Sequence, residues 1–293
     1  MHIEGFIKYL TKEKKMSKNS LEAYERDVLD FFAFEKEKGI KDLAETTNTE
    51  VVGYLLKLKN EGKSAATINR KLASTRSFFN YMQNAGIVSG NPTSGIKTPK
   101  VERKELEYLT IEEVDKLLDS PSMDPRGLRD RAILELLYAT GIRVNEVIAA
   151  NVEDVNLRIG FFTCPGEHGK ARIIPIGRPA RQALERYIYD ARNMIIKDNR
   201  SEKSLFVNYY GQRMTRQGLW KVLKEYAEKE KIEHKLTPHI LRNSFAVHMI
   251  QNGADLKSLQ ELLGHEDIAA TQIYLSVTKN RIKDVYDKTH PRA

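Results

Sequence analysis

Two arginines, two histidines and a tyrosine follow one another in an order that suits chemistry on a phosphate group. They are Arg143, His239, Arg242, His265 and Tyr274. Guanidinium groups bind and neutralise phosphate oxygens, a neutral imidazole can accept a proton, and a phenol can act as a nucleophile. The set indicates phosphoryl transfer, and no metal ion is required because two guanidiniums can stabilise the developing negative charge.

The first histidine is predicted in the first turn of a helix. Thr237 and Pro238 are typical of a helix cap and first position, so His239 lies where free N–H groups and the helix dipole favour an anion. The dipole disfavours imidazolium, so we expect His239 to be neutral, with Arg242 on the same face. The His-x-x-Arg spacing alone also fits a capped surface helix with two incidental polar residues.

A glycine turn is predicted to hold the second histidine. Gly264 suits the left-handed C-cap of an apolar helix, which leaves His265 in a sharp turn. The next helix is expected to start at Asp267 and to carry Tyr274. A lone histidine or tyrosine at such a place is usually structural, but the spacing to the helix that precedes them favours a functional site.

The first arginine is expected at a similar corner. Thr140 and Gly141 close one helix and Val144 begins another, so Arg143 lies between them with Glu146 placed to orient it. An arginine at such a corner can also simply cap helix carbonyls.

Length and composition indicate two domains and a polyanionic partner. The chain has 293 residues, 41% of them hydrophobic, which exceeds the usual size of a single domain. A net charge of +8 favours nucleic acid, although 48 basic and 40 acidic residues also fit an ordinary soluble surface. The single cysteine excludes an intrachain disulfide, and no apolar run is long enough for a membrane span. We expect a soluble cytoplasmic protein.

The element pattern predicts a mainly α-helical protein with a small antiparallel β-sheet. Residues 1–88 show only helical periodicity and fit a four-helix domain, and the stretch 89–108, with its Gly, Pro and charged residues, reads as a linker. Residues 109–293 mix helices with β-branched segments. Three of these segments predict strands: 152–164, 171–176 and 205–208.

The ordered set of Arg143, His239, Arg242, His265 and Tyr274 resembles the tyrosine recombinases, and it is most similar to the Xer type. The resemblance covers nearly the whole chain. It implies an N-terminal helical core-binding domain, an α+β catalytic domain and a C-terminal tail that docks on a neighbouring protomer. It also implies that Tyr274 attacks the scissile phosphate, which gives a 3′-phosphotyrosyl link and a free 5′-hydroxyl.

The resemblance gives each remaining residue a role. His239 would be the general base, His265 would hydrogen-bond a phosphate oxygen, and the two arginines would bind the phosphate. No cofactor is implied, because the phosphotyrosine conserves the bond energy for rejoining. The implied partner is a double-stranded DNA recombination site held by a homo- or hetero-tetramer on two duplexes, with a second recombinase and a DNA translocase as further candidates.

The Xer type implies site-specific recombination that resolves chromosome dimers. An integrase or transposase of a mobile element would share the chemistry and act on another substrate. A type IB topoisomerase would use the same tyrosine chemistry without sequence specificity. A DNA-binding protein with weakened catalysis is the non-enzymatic alternative.

The chain departs from the family pattern at the catalytic lysine and, more mildly, at Asn243 and after Tyr274. The family's catalytic lysine, thought to protonate the departing 5′-oxygen, usually follows the glycine that is here Gly166, and this chain has Glu167 there. Lys170, in the same turn between strands, can replace it or can make only a phosphate contact. Asn243 occupies a position where histidine is common, and we expect this change to lie apart from the chemistry.

Six further residues are candidates for contact with the DNA backbone. Three form a polar stripe on the helix predicted over 65–82: Thr67, Arg70 and Lys71. Three stand at the start of a later helix, where matching family positions often contact phosphates: Arg213, Thr215 and Arg216. A solvated helix face and a solvated cap explain the same residues.

Overall fold

The computed structural model describes residues 2–40, 42–98, 105–166, 171–197, 199, 201–232, 236–265 and 267–275. The chain divides into two compact units, one ending at Lys104 and the other beginning at Glu105. This division falls within the predicted linker, whose own bounds stay a prediction. Three features of the sequence lie outside the described residues: Glu167, Lys170 and the predicted docking tail after residue 275.

The first unit is a four-helix domain, as its periodicity predicts. Its helices are α1 (His2–Lys12), α2 (Lys18–Glu37), α3 (Asn48–Asn60) and α4 (Ala65–Asn84). Aromatic side chains dominate the core, and Phe6, Phe31 and Phe78 are fully buried. Their rings meet neighbouring rings edge to face, a geometry that adds attraction beyond the buried area.

The second unit is α+β. Its helices are α5 (Ile111–Asp119), α6 (Pro125–Thr140), α7 (Val144–Ala149), α8 (Arg178–Arg186), α9 (Arg192–Ile196), α10 (Arg216–Lys229), α11 (Pro238–Gln251), α12 (Leu256–Leu263) and α13 (Ala269–Gln272). The apolar helix α6 is central, since it packs against α5, α8 and α11. In the described part of the chain, none of these helices could cross a membrane.

The sheet has three antiparallel strands in the order β1-β2-β3. They are β1 (Val155–Asn156), β2 (Phe161–Cys164) and β3 (Arg172–Pro175). The long strand predicted over 152–164 is divided, because a 3₁₀ turn occupies Val152–Asp154 and a left-handed Gly160 precedes β2. The mainly helical architecture with a small antiparallel sheet is confirmed.

The strand predicted over 205–208 is wrong. This segment forms only single bridges, Asn151 with Ser204 and Val207 with Arg213. The Asn208 side chain accepts hydrogen bonds from the backbone N–H groups of Tyr210 and Gln212. The chain therefore turns back before a ladder can extend.

Candidate active site

Helix α11 positions the first histidine and the second arginine. Thr237 Oγ1 accepts the Ile240 N–H at 3.1 Å and Pro238 takes the first helical position, which confirms the predicted cap. His239 is exposed in the first turn, whereas Arg242 is only 4% exposed. Partial desolvation of the imidazole ring, and then the charge of the nearby Arg242, lower the pKa of His239, so this histidine is neutral at neutral pH.

Two glycine turns form the corners of the site. Gly141 closes α6 with a φ of 58° and Gly264 closes α12 with a φ of 63°, both in the left-handed region that favours glycine. A Cβ atom at Gly141 would lie 2.4 Å from the Phe245 ring, and one at Gly264 would lie 2.9 Å from the Arg172 guanidinium. Both predicted C-caps are confirmed, and a side chain at either corner would have to displace the Phe245 ring or the Arg172 guanidinium.

Carbonyl groups at the two corners accept hydrogen bonds from both arginines of the site. Arg242 Nη1 donates to the Gly141 carbonyl, and its Nη2 donates to the Leu263 carbonyl at 2.7 Å. Arg143 Nη2 donates to the Gly264 carbonyl at 2.9 Å. Burial and then the charge of Arg143 lower the pKa of Arg242 to about 10, so this guanidinium remains charged at neutral pH. The corners bring two positive charges together.

The second histidine is fixed by partners on both ring nitrogens. Its Nε2 lies 2.9 Å from Arg242 Nη2, and a guanidinium can only donate, so Nε2 is the acceptor. The proton of His265 is therefore on Nδ1 and donates to Thr271 Oγ1 at 2.9 Å. Burial and then Arg242 lower the pKa of His265 to about 4, which keeps the imidazole neutral.

The tyrosine lies just after α13 and is almost fully buried. Tyr274 is 2% exposed and packs in one apolar cluster with Phe245 and Leu263. Its hydroxyl donates to Asn243 Oδ1 at 3.2 Å. Burial raises the pKa of Tyr274, and the charge of Arg242 partly opposes this. Asn243 thus contacts the hydroxyl of the predicted nucleophile, contrary to the expectation that it lies apart from the chemistry.

A buried carboxylate ties the first arginine to the β-sheet. Glu146, 5% exposed, accepts the Arg143 backbone N–H at 2.6 Å, and Arg172 donates to its two oxygens at 2.7 and 3.0 Å. Arg172 Nε also donates to the Leu262 carbonyl at 2.8 Å, next to the second corner. Burial alone would raise the pKa of Glu146, but the bonds from Arg172 and Arg143 outweigh it and hold that pKa below its usual value.

Arg172 connects the sheet to both corners, and the motif spacing does not identify it. A signal was present, because Arg172 alternates with the exposed Ile173 and so shares a strand face with the buried Ile174. An arginine on the inward face of a strand needs a buried acceptor. Thr271, which fixes the imidazole of His265, carries no such signal.

The candidate DNA contacts of the first unit have partners within that unit. The Lys71 ammonium bonds to Asp30 and lies 3.6 Å from Asp27 Oδ1, and the residue is 8% exposed. The Arg70 guanidinium bonds to Asp27, although its side chain is 46% exposed. The Thr67 hydroxyl meets that of Ser64, the N-cap of α4. Contact of these three with DNA stays a prediction.

The candidates of the second unit lie at helix ends. Arg213 Nη1 donates to three successive carbonyls at the end of α7, from Ile148 to Ala150, at 2.7 to 3.1 Å. Thr215 caps α10, and Arg216 donates to Asn145 Oδ1 at 2.5 Å. Arg213 therefore secures the short helix that follows Arg143, and contact of the three with DNA stays a prediction.

Comparison with known proteins identifies the family. Residues 107–281 match the phage integrase family, and residues 3–86 match the phage integrase N-terminal SAM-like domain. Tyrosine recombinase XerD of Oceanobacillus iheyensis is 45% identical, over 99% of this chain and 98% of its own length. That of Listeria monocytogenes serotype 4b is 44% identical over 99% of both chains.

A solved structure agrees at the level of the fold. The XerH site-specific recombinase bound to palindromic difH substrate, in a post-cleavage complex, gives a TM-score of 0.76 at 21% identity. The match covers 97% of this chain and 83% of that one. This chain therefore belongs to the phage integrase family, and it is a tyrosine recombinase. The predicted resemblance and enzyme class are confirmed.

Proposed function

We propose that this recombinase cuts and rejoins duplex DNA at a specific site with Tyr274 as the nucleophile. The products of the cutting step are a 3′-phosphotyrosyl link and a free 5′-hydroxyl. One observation carries the assignment: two charged guanidiniums, Arg143 and Arg242, are cross-bonded at the two glycine corners beside a buried phenol. Positive charge held in place next to a nucleophile is what attack on a phosphodiester requires.

The reaction begins with a proton leaving the phenol. It passes to His239, which is neutral at working pH because its pKa is lowered. The Tyr274 oxygen then bonds to phosphorus, and the bond to the 5′-oxygen breaks. That oxygen takes a proton from a general acid, and we assign this role to Lys170. The two guanidiniums stabilise the charge on the non-bridging oxygens throughout.

The second histidine changes its hydrogen bonding in this scheme. In the free protein His265 Nε2 accepts from Arg242, so it cannot donate to a phosphate. A bound phosphate attracts the Arg242 guanidinium, and its negative charge raises the pKa of the imidazole. His265 then takes a proton from the solvent on Nε2 and donates to a phosphate oxygen, while Nδ1–H still donates to Thr271.

The biological role we propose is resolution of chromosome dimers in the cytoplasm. It is supported by whole-chain similarity to proteins named tyrosine recombinase XerD. In this role a homo- or hetero-tetramer holds two duplexes, with a second recombinase and a DNA translocase as candidate partners. The DNA backbone would be positioned by the six candidate residues: Thr67, Arg70, Lys71, Arg213, Thr215 and Arg216.

A nicked suicide duplex tests the chemistry. Denaturing the protein during turnover on genomic DNA traps the covalent link, and sequencing the trapped DNA gives the site. A duplex of that site, nicked beside the scissile phosphate, should accumulate a protein adduct at the 3′ end. Tyr274→Phe should abolish the adduct. Tyr226→Phe is the matched control, since this buried tyrosine bonds to Asp130 elsewhere in the unit. Absence of any adduct would leave a DNA-binding protein with weakened catalysis.

The trapped sequences also separate the two biological roles. A single chromosomal site that recombines with its own copy supports dimer resolution. Sites at the ends of a mobile element would instead identify an integrase or transposase.

A further inference from the structure

The hydroxyl of Tyr274 is held by an amide and not by a histidine. Tyr274 Oη donates to Asn243 Oδ1 at 3.2 Å, and both residues are at most 4% exposed. On α11, Asn243 lies one turn after His239, on the same face. The phenol hydroxyl therefore bonds to a residue one helical turn beyond His239, and within the described residues no hydrogen bond joins it to the imidazole to which we assign its proton.

The orientation of this amide follows from its other partner. Asn243 Nδ2 donates to the Glu107 carbonyl at 3.0 Å, and a carbonyl can only accept. Nδ2 must face Glu107, so Oδ1 faces Tyr274. An amide oxygen can only accept, and so the phenol must keep its proton to make the bond.

The nearby positive charges favour loss of the phenol proton, whereas the bond to Asn243 requires that proton. Burial favours the neutral phenol and raises its pKa, whereas Arg242 and Arg143 favour the phenolate. Turning the amide over would place the donor Nδ2 against the Tyr274 oxygen and stabilise the phenolate instead. Among the described contacts of Asn243, only its bond to the Glu107 carbonyl opposes this rotation of the amide. Glu107 lies near the start of the second unit, which is the catalytic unit.

We propose that Asn243 is a positioning residue that keeps the Tyr274 nucleophile protonated and out of reach of His239 until the Glu107 carbonyl is withdrawn. Withdrawal frees the amide to turn, after which the proton passes to His239 and Nδ2 donates to the phenolate oxygen. This inference rests on the proposed function in naming Tyr274 the nucleophile and His239 its base.

Titration of the Tyr274 phenol in the whole 293-residue chain, free of DNA, tests whether Asn243 keeps it protonated. Tyrosine labelled with ¹³C at Cζ reports ionisation by NMR, and the Tyr274 signal among 13 tyrosines is assigned by its loss in Tyr274→Phe. Asn243→Leu removes the acceptor, and the pKa of Tyr274 should fall by about one unit, the equivalent of one hydrogen bond. Asn243→Asp keeps an acceptor and adds negative charge, so the pKa should rise.

Ser244→Ala is the matched control. Ser244 is the next residue of α11, and its Oγ accepts the Leu109 N–H at 2.8 Å. It therefore holds the same segment, but within the described residues it has no hydrogen bond to Tyr274. This variant should leave the pKa of Tyr274 unchanged. An unchanged pKa in Asn243→Leu, or an equal fall in Ser244→Ala, would overturn the proposal.

Adduct formation on the nicked duplex provides the second measurement. In Asn243→Leu the pH profile of the cleavage rate should move to lower pH by the same unit, whereas a purely structural defect would lower the rate equally at every pH. An unmoved profile would reject the role of Asn243 in the reaction. Failure of the proposed function would appear differently, as an adduct that persists in Tyr274→Phe.

Discussion

Exchange of Glu146 for glutamine should destabilise the catalytic unit by about 3 kcal/mol. The carboxylate is 5% exposed and accepts two bonds from Arg172, whose side chain is 16% exposed, and one from the Arg143 backbone. Glutamine keeps one acceptor oxygen but leaves the Arg172 guanidinium buried without a counter-ion. Breaking a buried ion pair in this way costs about 3–5 kcal/mol, and the retained acceptor favours the lower end.

The only tryptophan of the chain provides the assay. Trp220 lies on α10 in the catalytic unit, so its fluorescence during urea unfolding reports on that unit. Glu228→Gln is the control, because Glu228 lies 3.6 Å from Lys224 and both side chains are largely exposed. Loss of such a surface pair should cost at most about 0.5 kcal/mol.

The pH dependence gives a second measure of the same interaction. The folded pKa of Glu146 is below its usual value of 4.5, so its ionised form is favoured in the folded state. The advantage of the natural chain over Glu146→Gln should be complete above pH 4.5 and should disappear as pH falls through the folded pKa. Below that pH, both chains carry a neutral side chain at this position.

A double-mutant cycle with Arg172→Met completes the test. The two single exchanges should each be costly and the double exchange should cost less than their sum, because it leaves no unpaired buried charge. Cleavage should fall about 100-fold in Glu146→Gln, since Arg143 loses its orientation. Equal costs for Glu146→Gln and Glu228→Gln, or strictly additive costs, would refute the reasoning.

Three further predictions concern other parts of the chain. Gly264→Ala should lower the cleavage rate on the nicked duplex by more than tenfold, because a Cβ would lie 2.9 Å from the Arg172 guanidinium. Glu35→Gln should stabilise the first unit at pH 8 by up to about 3 kcal/mol and barely at pH 4.5, measured by hydrogen exchange of α2. Lys170→Ala should be rescued by a 5′-phosphorothiolate, whose sulfur leaves without protonation, and Glu167→Ala should not.

The reason for the Glu35 prediction is the raised pKa of that buried carboxyl, about 7 against 4.5, since burial disfavours its charge. The natural chain therefore loses stability as pH rises from 4.5 to 7, and glutamine does not. A gain that is independent of pH would contradict this explanation. For Gly264, a rate equal to that of the natural chain would show that the corner can relax. For Lys170, lack of rescue would exclude it as the acid.

Local rules account for the parts of the site that the sequence predicts well. Thr237, Gly141 and Gly264 each act within one helical turn, as a cap or as a left-handed stop, so their signals survive folding. Helix boundaries then place His239, Arg143 and His265 without knowledge of the tertiary structure.

The features that the sequence does not predict depend on contacts between distant segments. Asn243 accepts a hydrogen bond from Tyr274, 31 residues away in sequence, and Arg172 donates to the Leu262 carbonyl, 90 residues away. No spacing rule encodes such pairs. The incorrect strand prediction at 205–208 has the same origin, because its composition suits a strand but no strand among the described residues extends far enough to pair with it.

The hydrogen bonds from Arg143 and Arg242 to the two corners also mean that these side chains lose their rotamer entropy on folding and not on binding DNA. A free arginine side chain loses about 2 kcal/mol of rotamer entropy when it is immobilised. Because Arg242 and Arg143 are already held by the Gly141 and Gly264 carbonyls, that cost is met during folding. In the proposed reaction, the bound phosphate would then replace the carbonyl acceptors of guanidinium groups that already have a fixed orientation, so the affinity of this site for DNA should depend little on side-chain ordering.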